Sequence, residues 1–177
     1  MTELKFRPFP NLNSDRLVLR KLVSDDKNEI YSFRSDEQVN AFIQRPNHTN
    51  IKSSAEFIDK INKGIDDGKW VYWAITLKNI PELIGTICLW NFSDDYKIVE
   101  IGYELLPLHQ NQGLMSEAVK SVINYAFEIL NIKRIEAYSH RENISSRKLL
   151  ERNKFKLDPT KKDRSNPDYV VYFLTNR

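Results

Sequence analysis

The 177-residue sequence predicts a mixed α/β fold, a central sheet with helices on its faces. Three observations carry that expectation. Segments 70–77, 83–90 and 98–106 are strand-like apolar runs that follow one another with only turn residues between them. Ala118, Val119, Val122, Ile123, Ala126, Phe127 and Leu130 then recur at the i, i+3, i+4 spacing of a single buried helix face. Another strand-like segment, 134–139, comes directly after it, and a strand–helix–strand order of this kind closes as a right-handed parallel crossover.

Taken in order, Arg16 to Leu22 reads as the first strand, and helix signals run from Asp25 or Asp26 through Phe33, with a short turn after Asp36. Ser53-Ser54-Ala55-Glu56 has the form of a capping box, and Phe57, Ile58, Ile61 and Ile65 give the helix behind it one apolar face before Gly68 stops it. Asn79, Pro81, Asn91, Ser93 and Asp94 mark the turns between the strands Trp70–Leu77, Leu83–Trp90 and Ile98–Leu106, which predicts a meander. Pro107 offers no ladder donor and ends the last of them. A helix over Ser116–Leu130 leads to a strand over Arg134–Ser139, and Asn143 can cap a further helix to about Arg152. Phe155–Leu157 and Tyr169–Phe173 are expected to close as a long-looped hairpin. No linker rich in Gly, Ser or Pro divides the chain, so residues 1–177 are expected to form a single domain.

Composition narrows the function classes. An excess of 27 basic over 24 acidic residues is too small for a nucleic-acid footprint, and no apolar run is long enough for a membrane span. Residues 1–10 have no apolar secretory core, which leaves the cytoplasm as the expected location. Cys88 is the single cysteine and reads as a small core residue; His48, His109 and His140 lack ligand spacing, so no metal site is expected. The basic cluster Lys161-Lys162-Asp163-Arg164 reads as a solvated loop, or as a lip that attracts an acidic substrate protein.

The most informative stretch is 109–118, where a strand passes through Gly113 into the cleanest amphipathic helix. The first turn of such a helix has unpaired N–H groups and the positive end of the peptide dipole, so it can seat a phosphate. Gly113 either lets the anion approach or simply relieves a tight turn. There is no P-loop ending and no second or third glycine of a dinucleotide fingerprint, which excludes the usual nucleoside triphosphate and NAD sites.

Gln110-Asn111-Gln112-Gly113-Leu114-Met115 resembles the Gln/Arg-x-x-Gly-x-Gly/Ala pyrophosphate loop of the GCN5-related N-acetyltransferases (GNAT). Ser116-Glu117-Ala118 behind it, Ile101-Gly102-Tyr103 before it, and Asn143-Ile144-Ser145-Ser146 running towards Phe155 are similar to the RimJ/RimL-like branch. The resemblance implies a mostly antiparallel sheet in which the fourth and fifth predicted strands form a splayed parallel pair that admits acetyl-CoA. It implies that the pyrophosphate lies over the backbone of Gln112, Gly113, Leu114 and Met115, with Gln110 and Asn111 of the same loop also cofactor-binding, and that the pantetheine arm lies along Tyr103 to Leu106, including Leu105. Asn143 and Ser146 correspond to positions near the pantetheine and thioester, although Asn143 equally suits a helix cap. Met115 departs from the Gly/Ala of the pattern, but its N–H is retained.

The activity implied is acetyl transfer to a primary amine. Glu100 and Glu104 alternate onto one strand face beside the expected cleft, and Glu100 is the first candidate for the base that deprotonates the acceptor. Backbone N–H groups near Leu105 or Leu106 are expected to hold the oxyanion. Many relatives place a tyrosine proton donor where this chain has Leu150, so Ser146 is the candidate replacement. Acceptors consistent with the sequence are a peptide N-terminus, a polyamine or an amine antibiotic, met by walls from 34–46 and 161–168; the protein is expected to be a monomer or a homodimer. Two other readings fit: an acyl-CoA-binding sensor without turnover, and an interaction module using an aromatic surface at Trp70, Tyr72 and Trp73.

Overall fold

The computed structural model describes residues 5–163 and 166–176. Its strands form one eight-stranded sheet, in the spatial order Leu12–Asn13, Leu17–Arg20, Val71–Leu77, Leu83–Trp90, Ile98–Leu105, Arg134–His140, Tyr169–Thr175 and Lys156–Lys162. A two-residue strand β1 (Leu12–Asn13) that the sequence did not signal pairs with β2 (Leu17–Arg20), which is shorter than the expected 16–22. The Arg16 carbonyl still accepts from the Lys78 N–H at 2.9 Å, but its own N–H and side chain turn to another task described below. β2 pairs antiparallel with β3 (Val71–Leu77), and β3, β4 (Leu83–Trp90) and β5 (Ile98–Leu105) form the expected meander.

β5 and β6 (Arg134–His140) are the parallel pair, joined through the helix α4 (Leu114–Asn124) and a following π-helical turn, Tyr125–Ile129. Their register runs only from Ile98↔Arg134 to Glu100↔Glu136. Beyond it β6 stays paired with β8 (Tyr169–Thr175) as far as His140, while β5 follows β4, so the two strands part and leave a cleft. α4 begins two residues before the expected Ser116, because Gly113 itself occupies the cap position. The last strands also differ from expectation. β7 extends over Lys156–Lys162, so Lys161 and Lys162 are strand residues and not loop, and Arg164 of that basic cluster lies outside the described residues.

Three helices precede the meander: α1 (Lys27–Ser35), α2 (Glu37–Asn40) and α3 (Ile51–Asp66). α3 is capped by Asn50 and not by the Ser53 box, since the Asn50 side chain accepts the Ser53 N–H at 2.9 Å. Two aromatic contacts assign the faces. Adjacent strand residues point to opposite sides of a sheet; Tyr72 meets Phe57 of α3 at 5.9 Å, whereas Trp73 meets Tyr125 behind α4 at 5.5 Å. α3 therefore covers one face and α4 the other. The helix α5 (Ile144–Arg152) joins α4, where Ser116 and Asn153 exchange buried hydrogen bonds of 3.1–3.2 Å. Trp73 is fully buried, Trp70 donates its indole N–H to the Ile61 carbonyl and Tyr72 lines the α3 face, so the aromatic triplet is core and wall and not an interaction surface.

Candidate active site

The loop after β5 is built from its own side chains. Gln110 donates to the Leu105 carbonyl at 2.9 Å, and Gln112 donates to the Leu108 carbonyl at 3.0 Å. Arg16 adds a third tie, to the Gln112 carbonyl at 3.0 Å. Asn111 (φ 60°) and Gly113 (φ 76°) both take left-handed backbone, and this turns the chain into α4 with Gly113 at its cap. The side chains of Leu114 and Met115 are buried in the core, so at these positions only backbone faces outward. The glutamine side chains thus organise the loop, and the N–H groups at the start of α4 are what it presents to an anion.

Arg16 was legible only as the start of a strand. Its backbone N–H and its Nε donate to the two oxygens of Glu117 at 2.7 and 2.8 Å, and Ser14 donates to the same carboxylate. Burial opposes the charge on Glu117, but these three donors hold its carboxyl below the ordinary range. The pair anchors the first turn of α4 to β2. A cavity of ≈ 360 Å³ opens beside that turn, lined by Arg16, Lys120 and Arg152 against Asp15 and Glu117, with Gly113 at its edge. Its charge and its helix terminus suit a phosphate-bearing ligand.

The parting of β5 from β6 exposes strand backbone. Leu106 N–H donates to the Ile84 carbonyl at 3.0 Å, which makes Leu106 and Ile84 a hydrogen-bonded pair. In an antiparallel ladder the alternate residues then turn their N–H and C=O groups the other way. Past the end of the β6 ladder, Tyr103 and Leu105 therefore direct backbone groups towards the cleft, where the Leu105 carbonyl already accepts from Gln110. This corrects one expectation: the Leu106 N–H is taken by β4 and is not open to an oxyanion, whereas the Leu105 N–H faces the opening.

On the α3 face, Glu100, Gly102 and Glu104 stand opposite Trp90, Cys88 and Thr86 of β4. Glu100 is half-buried, and burial pushes its carboxyl up to about 7, with Glu136 and Asp163 adding repulsion. Its one direct hydrogen bond is a weak one from Asn91 at 3.3 Å. Glu104 is committed elsewhere: Arg45 pairs with it at 2.6 Å, and Thr86, itself accepting from Tyr72, donates to it at 3.1 Å. The two carboxylates that looked equivalent in sequence are thus different in kind, one unpaired and poised to titrate, one locked in an ion pair. Cys88 is a poor nucleophile, since burial raises its thiol to about 12.

On the opposite face, Tyr103 of β5 and Ser146 of α5 meet with 3.0 Å between hydroxyl oxygens. Burial pushes the Tyr103 phenol up to about 12, so it stays protonated. Asn143 accepts the Ser146 N–H at 3.0 Å and is the N-cap of α5. Leu150 is buried in the core and brings nothing polar to the cleft. A tyrosine hydroxyl does stand beside Ser146, but it comes from β5 instead of α5, a pairing that no local pattern signals.

Residues 16–156 match the acetyltransferase (GNAT) domain family. The chain belongs to that family. It is 36% identical over 140 residues to the uncharacterized N-acetyltransferase p20 of Bacillus licheniformis, covering 78% of each chain. It is 31% identical over 142 residues to the uncharacterized N-acetyltransferase YoaA of Bacillus subtilis (strain 168), covering 80% of each. Among solved structures, RimL, the ribosomal L7/L12 α-N-protein acetyltransferase in complex with coenzyme A, superposes with a TM-score of 0.80 at 19% identity, over 94% of this chain and 97% of that one. The protein is an acetyl-CoA-dependent acetyltransferase of the GNAT fold. No helix among the described residues is long and apolar enough to cross a membrane.

Proposed function

We propose that this acetyltransferase works in the cytoplasm as a single domain, acetylating a primary amine with Glu100 as the base. The observation that carries the reading is the Glu100 carboxyl, held near 7 on the strand that borders the cleft. An ammonium must lose a proton before it can attack, and a base is most effective when its pKa lies near the working pH. An α-amino group near 7.7–8.0 is matched to Glu100, whereas a lysine-like amine near about 10.4 is far less so. The acceptor is accordingly read as an α-amine, such as a peptide N-terminus or an amino compound of similar acidity.

The cofactor is assigned to the Gly113 turn, with its phosphates over the N–H groups of Leu114 and Met115 and its arm along Tyr103 and Leu105. Acetyl-CoA supplies an activated acetyl thioester. Glu100 takes the amine proton, directly or through one water, and the Leu105 N–H faces the developing oxyanion. We assign the donor role in the 3.0 Å contact to the Tyr103 hydroxyl, with Ser146 Oγ accepting, and this leaves the Ser146 proton free for the departing sulfur. The direct test is thiol release from acetyl-CoA across N-terminal peptides, polyamines and amine antibiotics; release with none of them overturns the reading.

Ser146→Ala should then lower the rate at saturating acetyl-CoA roughly ten- to a hundredfold while the affinity for acetyl-CoA changes little. Steady-state kinetics separates this from a merely binding role. An unchanged maximal rate with a raised KM for acetyl-CoA ends the proton-donor assignment.

A further inference from the structure

On the α3 face of the cleft strand β5, near Glu104 and Arg45, stands a guanidinium with an unfilled fork. Arg34 sits at the end of α1, where its Nε donates to His48 Nε2 at 2.8 Å and its Cζ lies 4.1 Å over the Phe57 ring. His48 Nδ1 in turn contacts Ser54 Oγ at 2.8 Å. Since His48 Nε2 accepts from Arg34, the ring is neutral with its proton on Nδ1, and burial together with Arg34 and Arg45 lowers its pKa in keeping with that state. One edge and one face of the Arg34 guanidinium are therefore fixed. Its two terminal nitrogens have no hydrogen-bond or ion-pair partner among the described residues.

The carboxylates that face the same cleft do not balance it. Glu104 is paired with Arg45, whose Nε is also held by Asn40 at 2.7 Å. Glu136 is bonded to Arg134 at 2.8 Å and to Lys161. Glu100 lies near half-protonation at neutral pH, as its role requires. A cationic acceptor such as a polyamine would meet two carboxylates already paired and a third that is half-protonated, whereas an anion would meet an oriented fork. A planar guanidinium with two free parallel donors is complementary to a carboxylate.

We propose that the acceptor of this enzyme carries a carboxylate close to its reactive amine, and that Arg34, positioned by His48 and Phe57, binds it. The inference rests on the amine-acetylating reading above and names its substrate class. An α-carboxylate of a free amino acid and an acidic first side chain of a peptide share this chemistry.

The test uses the full chain and acceptor pairs that differ in the carboxylate alone: alanine against alaninamide, and an Asp-initiated against an Asn-initiated peptide, with spermidine as the cationic control. The carboxylate member of at least one pair should show kcat/KM ten- to a hundredfold above its neutral mate, the scale of a charge-assisted hydrogen bond. Which pair responds distinguishes the two sources. Arg34→Gln should bring that ratio close to one with acetyl-CoA affinity unchanged, and Arg34→Lys should restore part of it. Calorimetry of N-acetylalanine against N-acetylalaninamide on the wild-type protein reads the same preference without turnover and without any variant that must fold. Equal binding of that pair together with equal kcat/KM in both acceptor pairs, a preference for spermidine, or a preference that survives in folded Arg34→Gln overturns the proposal. Absence of thiol release with every amine would instead count against the reaction itself.

Discussion

Glu100→Gln is expected to lower turnover by about 10²-fold or more at pH 7, the scale for losing a general base, while acetyl-CoA binding stays the same. The wild-type rate should fall as pH drops through about 7, because the base is protonated there, and the variant should lack that limb. Glu104→Gln breaks the contact with Arg45 and is expected to act on acceptor affinity, not on the pH profile. If turnover survives in Glu100→Gln and collapses in Glu104→Gln, the base moves to Glu104; if neither matters, it is not on β5. Stability gives a second readout. A carboxyl raised from 4.5 to about 7 in the folded state binds a proton more tightly folded than unfolded, so its contribution turns unfavourable as pH rises through that window. Glu100→Gln should therefore raise Tm relative to wild type more at pH 8 than at pH 5.

Gly113→Val is expected to reduce acetyl-CoA affinity about 10²-fold, as the loss of one or two charge-assisted backbone hydrogen bonds would. The reason is conformational. A Cβ at Gly113 would come no nearer than 3.5 Å to Arg16, an ordinary contact, so space is not limiting. The φ of 76° is limiting, because a β-branched L-residue is strained there and the turn must rotate to relieve it, moving the N–H groups at the start of α4. Asparagine tolerates left-handed backbone, so Gly113→Asn should keep most of the affinity. Calorimetry with acetyl-CoA is the measurement. Unchanged affinity in a folded Gly113→Val protein would remove the cofactor from this turn.

Local features were the legible ones. The Gly113 turn, the apolar stripe of α4 and the alternation of β5 depend on residues a few positions apart, so periodicity and turn chemistry suffice to place them. Where neighbouring signals compete, the reading slipped by a turn. Asn50 and Ser53 are both good caps, and the register of α3 selected Asn50. The end of α4 reads as one continuous helix in sequence, yet it closes in a π-helical turn, a change of hydrogen-bond register that leaves the apolar stripe intact.

The sequence by itself determined the order of the main strands and helices, the Gly113 turn into α4 and the pair of carboxylates on one face of β5, because those follow from spacing along one element. Only the tertiary structure decided which carboxylate is free. Arg45 reaches Glu104 from the segment before α3, while Glu100 lies opposite Glu136 across the parallel pair and is desolvated there. The same holds for Tyr103 beside Ser146, 43 residues apart, and for Arg16 on Glu117, 101 residues apart. Ionisation depends on which charges and how much water surround a group in space, and the packing of distant segments sets both.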